Sequence, residues 1–346
     1  MYIRKDRIKM KFNELLSDKS EFRLAFLGGS ITEGAGASVP GKRYSSLFTE
    51  MMNKRIPEVK FTEINAGVGG TPSALGLFRL KSEVLDKNPD VLFVEFAVND
   101  SGYGDQMFKY MEGIVRTARR WKNDLPIVFL FTYPANDYTV KGQIKLAEAY
   151  KIPYVNMSED LKVKINYYGG NDRFFTQDGC HPNDKGYDSY VDSMMRDVFN
   201  ADFEFAFPEK PVFGTDFINP VLIPAETLTL PEGWMLSNRT LWMNPLRYIC
   251  ADKPGTSITF EFEGTACGLY GRIEKDGGKA DITIDGKPCG ASCFWDKYAR
   301  GFDRNSFSLL ADGLEYGKHT VTLTVKAEKD EQSEGHVIRI AAFLAG

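Results

Sequence analysis

Three residues of this sequence have the types and spacing for acyl transfer. Asp178 stands three residues before His181 in Asp178-Gly179-Cys180-His181, so its carboxylate reaches the imidazole across one turn of backbone. Ser30 follows an apolar run and the pair Gly28-Gly29. The chain has three histidines, and the other two, His319 and His336, lie in strand-like segments far downstream. His181 is therefore the base available to a serine. A serine hydroxyl is a weak nucleophile until a base removes its proton. In such a trio Ser30 attacks a carbonyl, His181 takes the proton and later returns it to the leaving alcohol, and Asp178 fixes the tautomer and stabilises the imidazolium. Taken singly, Gly-Gly-Ser and Asp-x-x-His read as turns and caps; their combination favours the chemistry.

Acyl transfer also needs donors aimed at the charge that develops on the carbonyl oxygen. Asn99, in Ala97-Val98-Asn99-Asp100, offers a side-chain amide. Gly70, in Asn65-Ala66-Gly67-Val68-Gly69-Gly70, offers a backbone N–H, and the N–H of Ser30 is the third. Asp100 reads as a brace for its loop. A lone histidine without a nearby Cys or His partner does not make a closed zinc site, so no metal or other cofactor is expected. The final glycine of a G-x-S-x-G elbow is missing, which argues against the α/β-hydrolase fold.

The elements that must position these groups alternate over the first two hundred residues. Apolar runs at 22–28, 59–64, 91–97, 127–133 and 153–157 read as parallel strands covered on both faces. Helical patterns lie near 43–55, 74–87, 105–123, 139–151 and 183–199. The alternation predicts an α/β doubly wound sheet, whose ligands sit beyond the carboxyl ends of the strands. Ser30, Gly70, Asn99 and the His181 loop all fall there. After about residue 203 prolines cluster, and alternating strands follow. Ile258, Phe260 and Phe262 share a face, Ile282 and Ile284 precede the hairpin signal Asp285-Gly286, and Val321, Leu323 and Val325 alternate. This predicts a catalytic domain over 1–204 and an antiparallel all-β sandwich or jelly roll over 205–346.

The net charge of −4 gives no electrostatic case for nucleic acid or an anionic membrane, and no apolar run approaches a membrane span. The basic N-terminus lacks the apolar core of a signal peptide. The five cysteines (Cys180, Cys250, Cys267, Cys289 and Cys293) contain no C-x-x-C pair. These features predict a soluble, cytoplasmic protein with reduced thiols; a Cys289–Cys293 bridge belongs to the secreted alternative.

The blocks GGSIT, NAGVGG, AVND and DGCHP resemble, in order and spacing, those of the SGNH (GDSL-type) hydrolase family over roughly residues 20–200. They supply Ser30, Gly70, Asn99 and Asp178 with His181. Ala97 stands where the third block usually has Gly, and Gly29 where the first often has Asp. The resemblance implies a three-layer flavodoxin-like domain with strand order 2-1-3-4-5 and metal-free ester hydrolysis through an acyl-serine. An SGNH domain followed by a small β-sandwich resembles bacterial carbohydrate esterases that carry a carbohydrate-binding-module-like domain. It implies removal of O-acetyl groups from acetylated oligosaccharides such as plant mannan or xylan fragments. The stretch 292–304 offers Trp295, Tyr298 and Arg300 as sugar contacts; Trp234, Trp242 and Tyr133 read as core or interface. Asp276-Gly277-Gly278 reads as a hairpin turn, with a calcium site as its alternative. Two rivals stand: a general short-acyl esterase or lysophospholipase, and an inactive sugar-binding protein. The polar, glycine-rich segments 31–43 and 100–106 favour a small acyl group over a lipid. Oligomeric state is left open, a homo-oligomer included.

Overall fold

The computed structural model describes residues 9–214, 217–241 and 244–346; Trp242 lies outside them. The chain divides into two units, Met1–Asp216 and Phe217–Gly346.

In the first unit the apolar runs form strands β1 (Glu21–Gly28), β2 (Lys60–Gly67), β3 (Val91–Glu95), β4 (Ile127–Leu130) and β5 (Tyr154–Val155). They pair in parallel in the order β2-β1-β3-β4-β5, the order that the resemblance implies. Every residue of β3 and β4 is buried, as strands covered on both faces require. The α-helices that follow β1 are α1 (Ser30–Glu33), α2 (Tyr44–Arg55), α3 (Ser73–Glu83), α4 (Ala97–Asp100), α5 (Gln106–Trp121), α6 (Asp137–Tyr150), α7 (Met157–Tyr167) and α8 (Asp184–Asn200). On one face of the sheet Phe26 stacks on Phe93 with ring centroids 4.8 Å apart. Tyr44 and Phe48 of α2 and Tyr187 and Tyr190 of α8 join them in one core.

Helix α7 was not expected. Asn156 ends the short β5 by capping it, its side chain accepting from Glu159 N at 3.2 Å, and Met157, Leu161 and Ile165 then turn one stripe inward.

The boundary between the units falls at Asp216/Phe217, beyond the expected 204/205. The proline-rich stretch after Phe203 is not a free linker, because α5 carries the partners for its backbone. Arg119 donates to the carbonyls of Glu204 and Ala206 at 3.1 and 2.6 Å, and Arg116 to that of Pro208 at 2.9 Å. The Glu112 carboxylate accepts from Val212 N at 2.6 Å and Phe213 N at 2.7 Å. Composition marks prolines but cannot show that buried arginines will satisfy their carbonyls.

The second unit is all-β and antiparallel, with eight strands among the described residues joined in one ladder. Its two longest strands, Ser257–Ile273 and Arg304–Val325, pair along their length with register shifts at Gly264/Ala266 and Cys267/Gly268. Such bulges bend a strand pair, so one continuous ladder serves a single core. Ile258, Phe260, Phe262, Ile282, Ile284, Val321, Leu323 and Val325 line that core, with Trp234. Asp285 and Gly286, at φ 52° and 74°, make the two-residue hairpin turn. Asp276 commits both carboxylate oxygens to Arg339 at 2.8 Å each, and its segment is not a hairpin turn as expected: the strands on either side, Ser257–Ile273 and Lys279–Ile284, pair with Arg304–Val325 between them and not with each other. All five cysteines are free. Among the described residues no helix is long and apolar enough to cross a membrane.

Candidate active site

Strand β1 ends at Gly28, and the chain turns at once into α1, whose first residue is Ser30. The turn needs glycine at 29: a Cβ there would lie 2.1 Å from Asn99 Oδ1. Ser30 is half-buried, and its Oγ lies 2.9 Å from His181 Nε2.

The loop carrying His181 is built around Asp178. Asp178 Oδ2 lies 2.6 Å from His181 Nδ1, while Oδ1 accepts from the amides of His181 at 2.7 Å and Cys180 at 2.9 Å. Gln177 N closes the loop onto His181 O at 2.8 Å, and Gly179 takes the left-handed φ of 87° that the tight return requires. Burial tends to raise the Asp178 carboxyl, but the bonds from the His181 ring and the two amides outweigh it and bring it down to about 2. The group therefore stays a carboxylate through the neutral range. It accepts the hydrogen bond from Nδ1–H and leaves Nε2 as the acceptor facing Ser30 Oγ.

Helix α8 and the loop before it fix this histidine against the serine turn. Tyr187 OH donates to the carbonyls of Ala35 at 2.7 Å and Ile31 at 3.1 Å. Gln177 Nε2 donates to Gly36 O at 3.0 Å, and Asp184 accepts from Ser38 N at 2.9 Å and Ser38 Oγ at 2.7 Å.

The structure brings the expected donors to the same strand ends. Gly70 lies in the loop after β2, at φ 73°, and Asn99 lies in α4 with its amide against Gly29. Among the described residues the N–H groups of Ser30 and Gly70 and the Asn99 side-chain amide have no hydrogen-bond acceptor. Neighbouring amides are spent: Val68 N on Gly28 O at 3.1 Å, and Gly69 N on Glu33 Oε2 at 2.9 Å. Asp100 braces its loop as expected, accepting from Ser73 N at the start of α3 at 2.9 Å and from Gln143 Nε2 at 3.3 Å.

Three supporting residues escaped the sequence reading. Glu33 accepts from the Gly69 amide, as above. Arg79, fully buried on α3, donates to the carbonyls of Gly28 at 3.4 Å and Ala66 at 3.2 Å, tying the ends of β1 and β2 together. Glu95, fully buried at the end of β3, lies beneath the serine turn. The signal for it was present: a carboxylate inside the apolar run 91–97 must find donors or be neutral.

The candidate sugar contacts separate. Tyr298 is 56% exposed and Arg300 is also exposed, whereas Trp295 is only 7% exposed and too enclosed to offer its face to a sugar ring. Its large apolar area is worth more buried than in water. Tyr133 is half-buried, with its hydroxyl 3.5 Å from Asp172. A cavity of about 490 Å³ lies beside the loop, lined by Arg173, Phe174, Gln177 and Lys185 among others, but Ser30, Gly70 and Asn99 do not line it.

Residues 26–188 match the family model of the GDSL-like Lipase/Acylhydrolase family. In overall fold the chain is similar to a two-domain esterase (CEX) active on acetylated mannans, solved with mannopentaose. The TM-score is 0.79 at 23% identity, covering 96% of this chain and 92% of that one. A second structure, of a two-domain esterase (CEX) active on acetylated mannans, gives 0.77 at 24% identity, covering 94% and 91%. An A type blood N-acetyl-alpha-D-galactosamine deacetylase from Flavonifractor plautii is 30% identical over 109 residues, 30% of this chain and 13% of that protein, so the chain spans a small part of that relative's length. The serine turn, the loops carrying Gly70 and Asn99, and the histidine loop all lie inside the segment that matches the GDSL-like Lipase/Acylhydrolase family model.

Proposed function

We propose that the protein is a serine esterase that removes O-acetyl groups from acetylated oligosaccharides, mannan or xylan fragments among them. The observation that carries the chemistry is the unbroken relay from Asp178 through His181 to Ser30 Oγ, with links of 2.6 and 2.9 Å, beside three donors that lack acceptors. Ser30 Oγ attacks the acetyl carbonyl as His181 Nε2 takes its proton. The Ser30 and Gly70 N–H groups and the Asn99 amide receive the oxyanion. Collapse breaks the bond to the sugar oxygen, which leaves with the proton from His181. Water then attacks the acetyl-serine, giving its proton to His181, and acetate departs with Ser30 restored. The acetyl-sugar assignment is supported by the likeness across both units to the mannan-active esterase and, locally, to a sugar deacetylase.

The test is acetate release from a panel of acetylated manno- and xylo-oligosaccharides, with p-nitrophenyl acetate and octanoate alongside. Release from the oligosaccharides that is abolished in Ser30→Ala, with the variant still folded, is the expected result. Turnover that rises from acetate to octanoate would make the enzyme a general acyl esterase instead. Full activity in Ser30→Ala would overturn the mechanism.

A further inference from the structure

We propose that Glu95 is a positioning residue for Ser30: its ionised carboxylate holds the serine turn in the geometry that meets His181, and protonation of Glu95 releases it. The inference rests on the serine-esterase reading above.

Glu95 ends β3 with no exposed surface. Its Oε2 accepts from Thr32 Oγ1 and its Oε1 from Thr132 Oγ1, each at 2.9 Å. The backbone amides of Gly29 and Thr32, the residues that bracket Ser30 and Ile31, lie near enough to favour its charged form. Tyr44 OH, 2.7 Å from Thr32 Oγ1, extends the chain by donating to that hydroxyl. Hydroxyl and amide donors alone thus compensate the charge. A carboxylate satisfies all of them. A carboxylic acid does not, because its own O–H then faces donors and at least one bond to the turn is lost. Burial drives Glu95 up to about 7, against the pull of Thr132, Thr32 and the two amides, so this exchange falls near neutrality.

The other titratable groups facing Glu95 come from four elements. Tyr44 on α2, Cys180 on the histidine loop, and Tyr187 and Tyr190 on α8 are each driven upward, first by burial and further by Glu95, and stay neutral in this range. Asp100 on α4, raised by burial to about 7, is the one group that titrates beside it. The sign for stability follows. Glu95 has a folded value above its unfolded one, so stability is lost as pH rises through about 7, where the ionised and active form takes over.

The experiment measures kcat/KM for p-nitrophenyl acetate from about pH 5 to about pH 9, and Tm at both ends, for the wild type, Glu95→Gln, Thr132→Val, Thr132→Ser, Asp100→Asn and Ser30→Ala. The Glu95 proton must be lost in addition to that of the general base, so the wild-type acid limb is expected to reach a slope of two. Glu95→Gln should give a slope of one, a lower plateau, and a Tm above wild type at the alkaline end. Thr132→Val removes a donor to the charged form and should move the acid limb to higher pH, while Thr132→Ser should not; this arm carries the test if Glu95→Gln does not fold. Asp100→Asn should keep the slope of two. A wild-type slope in Glu95→Gln, a lower Tm than wild type at the alkaline end, an unmoved limb in Thr132→Val, or a slope of one in Asp100→Asn would each overturn the proposal. Turnover that survives in Ser30→Ala would instead overturn the esterase reading beneath it.

Discussion

Replacing Asp178 by Asn and by Ala separates two jobs of one carboxylate, and the mechanism predicts that the more conservative change does more harm. In the wild type Oδ1 holds the His181 and Cys180 amides and Oδ2 holds the His181 ring. Asn keeps an oxygen for the amides but turns an NH₂ toward Nδ1. The imidazole must then carry its proton on Nε2, which faces Ser30 Oγ, where it can no longer accept one. In a fully enclosed triad, forcing this tautomer lowers kcat by about 10⁴. The Asp178 side chain is 52% exposed, so water competes for the ring and softens the loss. We expect a fall of about 10³, or ~4 kcal/mol, with KM nearly unchanged. Ala imposes no tautomer. It removes one charge-assisted bond worth ~1.5–3 kcal/mol, a loss of about 10- to 10²-fold. Ala also frees the two loop amides, so its Tm should fall further than that of Asn. Steady-state kinetics on p-nitrophenyl acetate and a thermal melt of each variant read both orders. Asn within tenfold of wild type, or Ala less active than Asn, would refute the tautomer argument.

Asn99→Ala removes one oxyanion donor and should lower kcat by about 10²- to 10³-fold with KM unchanged, read from the same kinetics; an effect confined to KM would place Asn99 in ground-state binding instead. Trp295→Ala should destabilise the protein by ~3–5 kcal/mol in denaturant unfolding, as loss of a buried indole does. A normal unfolding midpoint with a raised KM for oligosaccharides would restore its role as a sugar platform.

The pattern of the first unit was legible because its central strands β3 and β4 are nearly continuous apolar runs, wholly buried, which a parallel sheet covered on both faces accommodates. The catalytic candidates were legible for a related reason. Asp178 and His181 interact across three residues, so a local contact specifies them, and Ser30 is marked by glycines that the approach of Asn99 requires. The supporting residues were harder. Arg79 sits on a helix with an ordinary amphipathic pattern, and nothing near it in sequence shows that its guanidinium will reach the carbonyls of Gly28 and Ala66. Trp295 looked like a surface aromatic because its neighbours are charged, whereas the fold encloses it.

By itself, then, the sequence determined what depends on neighbours along the chain: element types, the Asp178–His181 pair, the Asp285-Gly286 turn and the all-β character of the second half. Only the tertiary structure decided what depends on partners far apart in sequence. It brought Ser30 within 2.9 Å of a histidine 151 residues away, moved the unit boundary to Asp216 by pinning a proline-rich stretch on buried arginines, and placed the Glu95 carboxylate between hydroxyl donors from two segments a hundred residues apart, Thr32 and Thr132. Local preferences act over a few residues, but hydrogen bonds and burial between distant segments exist only once the sheet has been assembled.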